Sequence, residues 1–245
     1  MQVIIRVPLK KTLTLPINYN HILQGIVYDA LSDDEDVVKK IHDDGLRLGP
    51  RVFRPLTFSA LSGEYKISGS RITFLKSVEW EIRSVDDSVI KTISSHLVKC
   101  GIRFGDNTID TLGVNIMDKS IVQEECVIKM VTPICAYSSD RETKKSYYYT
   151  PEQVGFYEIT KNNAIKKYEA HFGKSYEGDL LFEPQSVKER DKVITRYDGI
   201  IIEAWKGEYR LSGSIEMFNF LYNVGLGAKN GQGFGMFNVI SEGIQ

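Results

Sequence analysis

The period of the apolar positions changes repeatedly along the chain, and each change marks a strand or a helix. Val3 to Pro8 is short and β-rich and reads as a first strand. From Asn20 onward, Ile22, Leu23, Ile26, Val27, Ala30 and Leu31 recur at helical spacing, which predicts a helix with one buried stripe and with His21 and Tyr28 on its opposite face. Ser32 followed by Glu35 is a capping-box pattern. It predicts a second helix to about Asp44, stopped by Gly45, with Val37, Val38 and Ile41 as its buried edge and His42 beside them. Arg51 to Leu61 and Glu64 to Val85 alternate as strands do, with breaks at Ser62-Gly63 and Ser68-Gly69-Ser70. Asp86 to Cys100 is helical again, with Gly101 as its stop. Strand, helices, strands, helix, strand is the βαββαβ order of a ferredoxin-like unit.

The second half repeats that order. Strands are predicted near Val114 to Met117 and over Cys126 to Tyr137, followed by a polar loop from Ser138 to Ser146. Pro151 opens a long helix to about Phe172, and strands follow near Leu180 to Phe182 and over Val193 to Trp205. Ser214 caps a helix over Ile215 to Val224, and a glycine-rich loop leads into a last strand, Phe234 to Ile240. The expected class is α+β, two tandem ferredoxin-like domains over residues 1–120 and 121–245. GEYKISGS at Gly63 to Ser70 and GEYRLSGS at Gly207 to Ser214 differ only by like-for-like changes, an echo that supports two related halves.

Composition narrows the function classes. A chain of 245 residues with 42% hydrophobic and 26% charged residues can bury a proper core without disulfides or metal. Its net charge is −1, so no global positive field draws in nucleic acid, and any such site must be a local patch. Acid collects instead in Asp33, Asp34, Glu35 and Asp36. Cys100, Cys126 and Cys135 are scattered and have no metal-ligand spacing. They read as reduced thiols in a cytoplasmic setting, packed as small hydrophobes. The amino-terminal apolar stretch is too short for a signal peptide and no membrane-spanning run exists, so no membrane partner is expected.

The densest local signal is the segment Gly225 to Gly235, which holds Gly225, Gly227, Gly231, Gly233 and Gly235 around Lys229 and Asn230. Glycines let backbone amides face an anion and let a phosphate backbone come close, so the loop is a candidate phosphate cradle. The same residues also fit a glycine-capped helix end turning into a strand. The spacing is that of neither a nucleotide P-loop nor a dinucleotide fingerprint.

Four blocks carry a resemblance: LPINYNHILQGIVYDAL, IHDDGLRLGPRVFRPLTFSAL, TPICAYSSDRETKKSYYYTP and GLGAKNGQGFGMFNV. In this order, and over nearly the whole chain, they resemble the Cas-six family of CRISPR-associated precursor-RNA endoribonucleases, within the RAMP superfamily of RNA-binding proteins. The resemblance implies two ferredoxin-like domains with the glycine-rich loop before the last strand. It also implies cleavage of CRISPR repeat RNA in the precursor transcript without metal or other cofactor, leaving a 2′,3′-cyclic phosphate and a 5′-hydroxyl. By position it assigns catalysis to Tyr28, His42 and Arg51. A lysine is the family's residue at that last position, and an arginine there could stabilise phosphorane charge but not shuttle a proton. The implied partner is CRISPR repeat RNA or precursor crRNA, with an effector complex and a homodimer left open.

That chemistry needs a base for the 2′ proton, an acid for the departing 5′ oxygen and positive charge around the phosphate. His42 suits the first two, since imidazole titrates near neutral pH, although a surface histidine at a helix end has the same pattern. Tyr28 could orient the 2′-hydroxyl or pack at a domain seam. For RNA binding the candidates are Gly225, Gly227, Lys229, Asn230, Gly231, Gly233, Gly235 and Arg54. A weaker cluster is Lys161, Lys166, Lys167 and Lys174, a pattern that a solvated helix face also gives. Tyr147, Tyr148 and Tyr149 could stack bases or pack a core. His21, His96 and His171 read as structural, the last at a helix C-cap. Two other classes fit the residues: a non-catalytic RNA-binding RAMP subunit, and a ferredoxin-like module for a small anion.

Overall fold

The computed structural model describes residues 1–38, 41, 45–110, 112–140, 142–143, 145–197 and 199–242. The first domain is built on β1 (Gln2–Pro8), α1 (Asn20–Leu31), β2 (Leu56–Phe58), β3 (Ser77–Ser84), α2 (Asp87–Cys100) and β4 (Gly113–Met117). Its four strands lie in the order β4-β1-β3-β2, all antiparallel. The second domain is built on β5 (Glu125–Met130), α3 (Val154–Phe172), β6 (Leu181–Ser186), β7 (Glu208–Ser212), α4 (Ile215–Val224) and β8 (Phe237–Glu242). Its order is β6-β7-β5-β8, again antiparallel, which is the same topology. The chain is therefore two tandem ferredoxin-like units, each a sheet with two helices.

Alternation fixes which face of each sheet is covered. Val3, Ile5 and Val7 of β1 are fully buried, and Ile5 lies opposite Trp80 while Val3 lies opposite Ile82. Leu23, Val27 and Ala30 of α1 and Val89, Ile90 and Ile93 of α2 close the same core. Burying a side chain of this size is worth about 1.5–3 kcal/mol, so the two stripes contribute substantially to the driving force. Asp86 caps α2 by accepting from the Ser88 amide, and Gly101 ends it at φ 75°. The second core gathers Phe156, Phe182 and Tyr209, whose rings stack, around Met217, Phe218 and Leu221 of α4. Cys126 is buried in this core and Cys135 in a small cluster with Ile202, Ala204 and Phe234; burial pushes their thiols up to about 11 and about 12, whereas Cys100 is exposed. No helix of the described residues is long and apolar enough to cross a membrane.

A buried arginine joins the halves. The Arg83 side chain on β3 has no exposed surface, donates from Nη1 to the Phe237 carbonyl at 2.6 Å and from Nη2 to Asn238 Oδ1 at 2.6 Å, and meets Glu81 at 2.7 Å. Its guanidinium carbon sits 3.8 Å from the centroid of the Tyr222 ring. The Tyr222 hydroxyl in turn donates to Gln2 Oε1 at 3.0 Å. Arginine suits this position because its planar fork can satisfy several acceptors while its face stacks.

Several expected elements are shifted. Asp34, not Ser32, accepts from the Val37 amide and starts the short helix Glu35–Val38, while the Ser32 hydroxyl donates back to Asp29 and ends α1. The predicted continuation of that helix to Asp44 lies outside the described residues, apart from Ile41. The long helix begins at Val154 rather than at Pro151. Val193 to Trp205 is a hairpin, Lys192–Tyr197 with Ile200–Trp205, because Gly199 turns it at φ 78°. The polar stretch after Tyr137 is also a hairpin, Tyr137–Ser139 with Ser146–Tyr148. The last strand starts at Phe237, since residues 234–236 belong to the loop.

The sequence echo does not mark equivalent positions. GEYRLSGS forms β7, next to the centre of the second sheet, with Tyr209 fully buried, whereas GEYKISGS forms the hairpin strand Tyr65–Ser68, outside the first four-stranded sheet, with Tyr65 53% exposed. The topological partner of β7 is β3, whose sequence differs. Tyr209→Ala is expected to cost about 3–5 kcal/mol in urea unfolding and Tyr65→Ala less than about 1 kcal/mol. Similar losses at both positions would mean that the two copies play one structural role after all.

Candidate functional site

A cleft of about 790 Å³ opens between the domains. One wall is α1, through Gln24 and Tyr28, and the strand Arg51–Phe53 with Arg54. The other is α3, through Ile159, Asn162, Asn163 and Lys166, with Tyr137 and the loop residues 227–232 closing it. Arg51, Arg54, Lys166 and Lys229 line it and no carboxylate does, among the described residues. In a chain of net charge −1 this is a local concentration of positive charge, which favours anionic ligands.

The glycine-rich loop is held from behind. Lys167 of α3 has no exposed surface, and its ammonium donates to the Gly225 carbonyl at 2.5 Å, the Gly227 carbonyl at 3.2 Å and Asn230 Oδ1 at 3.0 Å. Asn230 passes the restraint on, donating from Nδ2 to Leu226 and Phe234, both at 3.0 Å. Burial pulls the Lys167 ammonium down to about 7, while the three oxygens around it favour its charged form. Close approach of backbone to backbone requires glycine here: a Cβ on Gly235 would lie 1.9 Å from the Leu226 carbonyl oxygen, and one on Gly227 2.8 Å from the Cys135 carbonyl oxygen. Lys229 itself adopts φ 62°, the left-handed region that a side chain disfavours, and places its ammonium 5.0 Å from the centroid of the Tyr137 ring.

The structure brings Tyr28, Arg51, Arg54, Gly227, Lys229, Asn230 and Gly231 to this one cleft. Gly225, Gly233 and Gly235 do not line it. Their amides donate to the carbonyls of Leu221, Asn230 and Pro133, so they shape the loop and are not turned toward a ligand. His42 lies outside the described residues, and neighbouring Ile41 is buried with its carbonyl accepting from Arg54. Lys167 is an internal strut and Lys174 pairs with Glu216, which leaves Lys166 as the member of the lysine cluster facing the cleft. Tyr148 packs on Tyr137, and Tyr147 is exposed. His21 contacts the Asn18 carbonyl, His96 pairs with Asp33, and His171 stacks on Phe220, while Gly173 makes the cap of α3.

Sequence reasoning missed Tyr137, Asn163 and the role of Lys167. The last carried a signal: Phe156, Thr160, Ala164, Lys167 and Tyr168 form the buried stripe of α3, and a lysine in such a stripe needs internal acceptors. Burial pushes the Tyr137 phenol above its ordinary value, and nearby Arg51 pulls it back.

Comparison with known proteins adds a family. Residues 116–239 match the family described as CRISPR associated protein Cas6, C-terminal. A CRISPR-associated endoribonuclease Cas6 from Pyrococcus furiosus is 26% identical over 227 residues, 92% of this chain and 83% of the relative. CRISPR-associated endoribonuclease Cas6 1 of Methanocaldococcus jannaschii is 24% identical over 235 residues, 91% of this chain and 86% of the relative. Among solved structures, one described as a RAMP protein binding different RNA substrates superposes with a TM-score of 0.81 at 22% identity, covering 98% of this chain and all of that one, which supports the fold.

Lys167→Met removes the donor from three buried oxygens and is expected to lower stability by about 2 kcal/mol or more. The unfolded chain keeps an ordinary lysine near 10.5 while the folded one titrates at about 7, so between those values the unfolded state binds more protons and wild-type stability rises with pH. Urea midpoints taken from pH 7 to pH 9 should diverge, the wild type gaining on the variant. Parallel curves would show that burial leaves Lys167 unperturbed.

Proposed function

Because the chain belongs to the Cas6 family of CRISPR-associated proteins, we propose that it is an endoribonuclease that cuts CRISPR repeat RNA in the precursor transcript to give crRNA, without metal. The observation that carries this reading is the cleft, where Tyr28, Arg51, Arg54 and Lys229 converge with no carboxylate among the described lining residues. Such a cleft admits a polyanion and offers charge stabilisation rather than a cage of hard oxygen ligands. The reaction is transesterification within the RNA. The 2′-oxygen attacks the adjacent phosphorus as a base removes its proton, the phosphorus–5′-oxygen bond breaks, and an acid protonates the departing oxygen, leaving a 2′,3′-cyclic phosphate and a 5′-hydroxyl.

Within this proposal Arg51 and Lys229 neutralise the phosphorane, and Tyr28 orients the 2′-hydroxyl or a phosphate oxygen. His42 provides the titrating imidazole, a role that rests on its position in the family pattern. A guanidinium is a poor proton shuttle, so proton transfer falls to other groups. Arg54 and the loop from Gly227 to Gly231 grip the flanking phosphates. RNA of this kind is a cytoplasmic substrate, which agrees with three cysteines that form no disulfide.

One observation favours a second reading. An arginine stands where the family carries a proton-shuttling lysine, and a RAMP subunit that grips RNA without cutting it needs only the charge. The two separate in one assay. Repeat RNA incubated with the protein in EDTA should be cut once per repeat, with a cyclic phosphate detected by mass spectrometry; binding without product favours the second reading, and dependence on added divalent metal removes the mechanism above. His42→Ala is expected to slow cutting by about 10²-fold or more with binding nearly intact. Arg51→Ala should slow it by about 10²-fold, and Arg51→Lys should recover most of that loss.

A further inference from the structure

Two side-chain oxygens in the cleft wall have no partner. Asn163 Oδ1 on α3 and Gln232 Oε1 in the glycine-rich loop are shut off from solvent and make no hydrogen bond, and both residues line the cleft. Among the described residues the other buried side-chain atom in that condition is Ser94 Oγ on α2, away from the cleft. A buried acceptor without a donor costs about 1–3 kcal/mol, so a pair of them beside a ligand-sized opening calls for a donor on the ligand. Both stand on fixed backbone, so turning the carboxamide about its own side-chain bonds is what presents each oxygen to a ligand. The Gln232 backbone N–H donates to the Lys229 carbonyl at 2.9 Å, and its backbone carbonyl accepts from Asn20 Nδ2 at 3.0 Å. Asn163 stands one helical turn before Lys167, which is fastened to the loop by three bonds.

The surrounding cations suit phosphates, but a phosphate diester only accepts hydrogen bonds and cannot satisfy an amide oxygen. The donors that RNA brings are base N–H groups and the 2′-hydroxyl. A carboxamide presents an acceptor beside a donor, the pattern complementary to a base edge, and sequence-specific RNA recognition works on unstacked bases. We propose that Asn163 and Gln232 form a base-reading subsite, each accepting a hydrogen bond from the edge of a nucleobase splayed into the cleft, while Arg51, Arg54, Lys166 and Lys229 hold the backbone. The subsite rests on the RNA reading above and adds sequence discrimination to it.

The test is a donor-deletion scan. Repeat RNA from the same genome, blocked at the cut by a 2′-deoxy sugar, is altered one base at a time: adenine to purine, cytosine to pyrimidin-2-one, uracil to N3-methyluracil, guanine to hypoxanthine. A second series carries 2′-deoxy sugars instead. The wild type should lose about 5- to 100-fold in affinity at one or two bases. Asn163→Ala or Gln232→Ala should abolish that sensitivity at the same base, with the salt slope unchanged because the phosphate contacts remain. A flat base scan, sensitivity confined to the 2′-deoxy series, or equal weakening of every RNA would overturn the subsite. If one variant fails to fold, the wild-type scan and the other variant still decide. Cleavage of unmodified repeat by the wild type is scored separately: cutting with a flat scan defeats the subsite alone, and a positive scan without cutting defeats the nuclease reading alone.

Discussion

A single buried ammonium underlies the cleft. Lys167 reaches from the middle of α3 to three oxygens of the glycine-rich loop, with no carboxylate among its hydrogen-bond partners, and so converts an intrinsically loose segment into a fixed wall. Burying that cation is costly, and three well-placed acceptors are what make it tolerable. The loop's left-handed turn at Lys229 and its close approach at Gly235 both persist because the strut over-determines them. Glycine supplies the geometry here and lysine supplies the rigidity.

Positive charge is distributed in the same economical way. The chain as a whole is close to neutral, yet Arg51, Arg54, Lys166 and Lys229, from three separate segments, face one opening. Among the described residues acids are engaged elsewhere: Asp29 and Asp33 hold His96, Glu216 holds Lys174, and Glu81 holds Arg83. A polyanion therefore meets a favourable field at this opening, which orients as well as attracts.

Much of this was legible before any coordinates. The helical stripe from Ile22 to Leu31, the stop at Gly101 and the cap at Ser214 are local signals, decided by period, by one glycine and by one hydrogen bond, and the structure keeps them. The Ser32–Glu35 box failed because Asp34 takes the cap two residues later, accepting from the Val37 amide, while the Ser32 hydroxyl turns back to the Asp29 carbonyl. The repeated octapeptide misled for a different reason. Identical residues can form an exposed hairpin or a sheet interior, and only the rest of the fold decides which. In the cleft, Tyr28, Arg51 and Arg54 could be named from position, but the orphan oxygens of Asn163 and Gln232 could not, since an unmet hydrogen bond is a property of assembled surroundings.

The Arg83 joint bears on how such a protein changes over generations. Its partners are two backbone carbonyls, an amide, a carboxylate and an aromatic face, drawn from both halves. A half borrowed from another ancestor would arrive lacking one side of that lock. The tandem units, though alike in topology, are thus not interchangeable parts: a change at Arg83 in one half strands acceptors in the other.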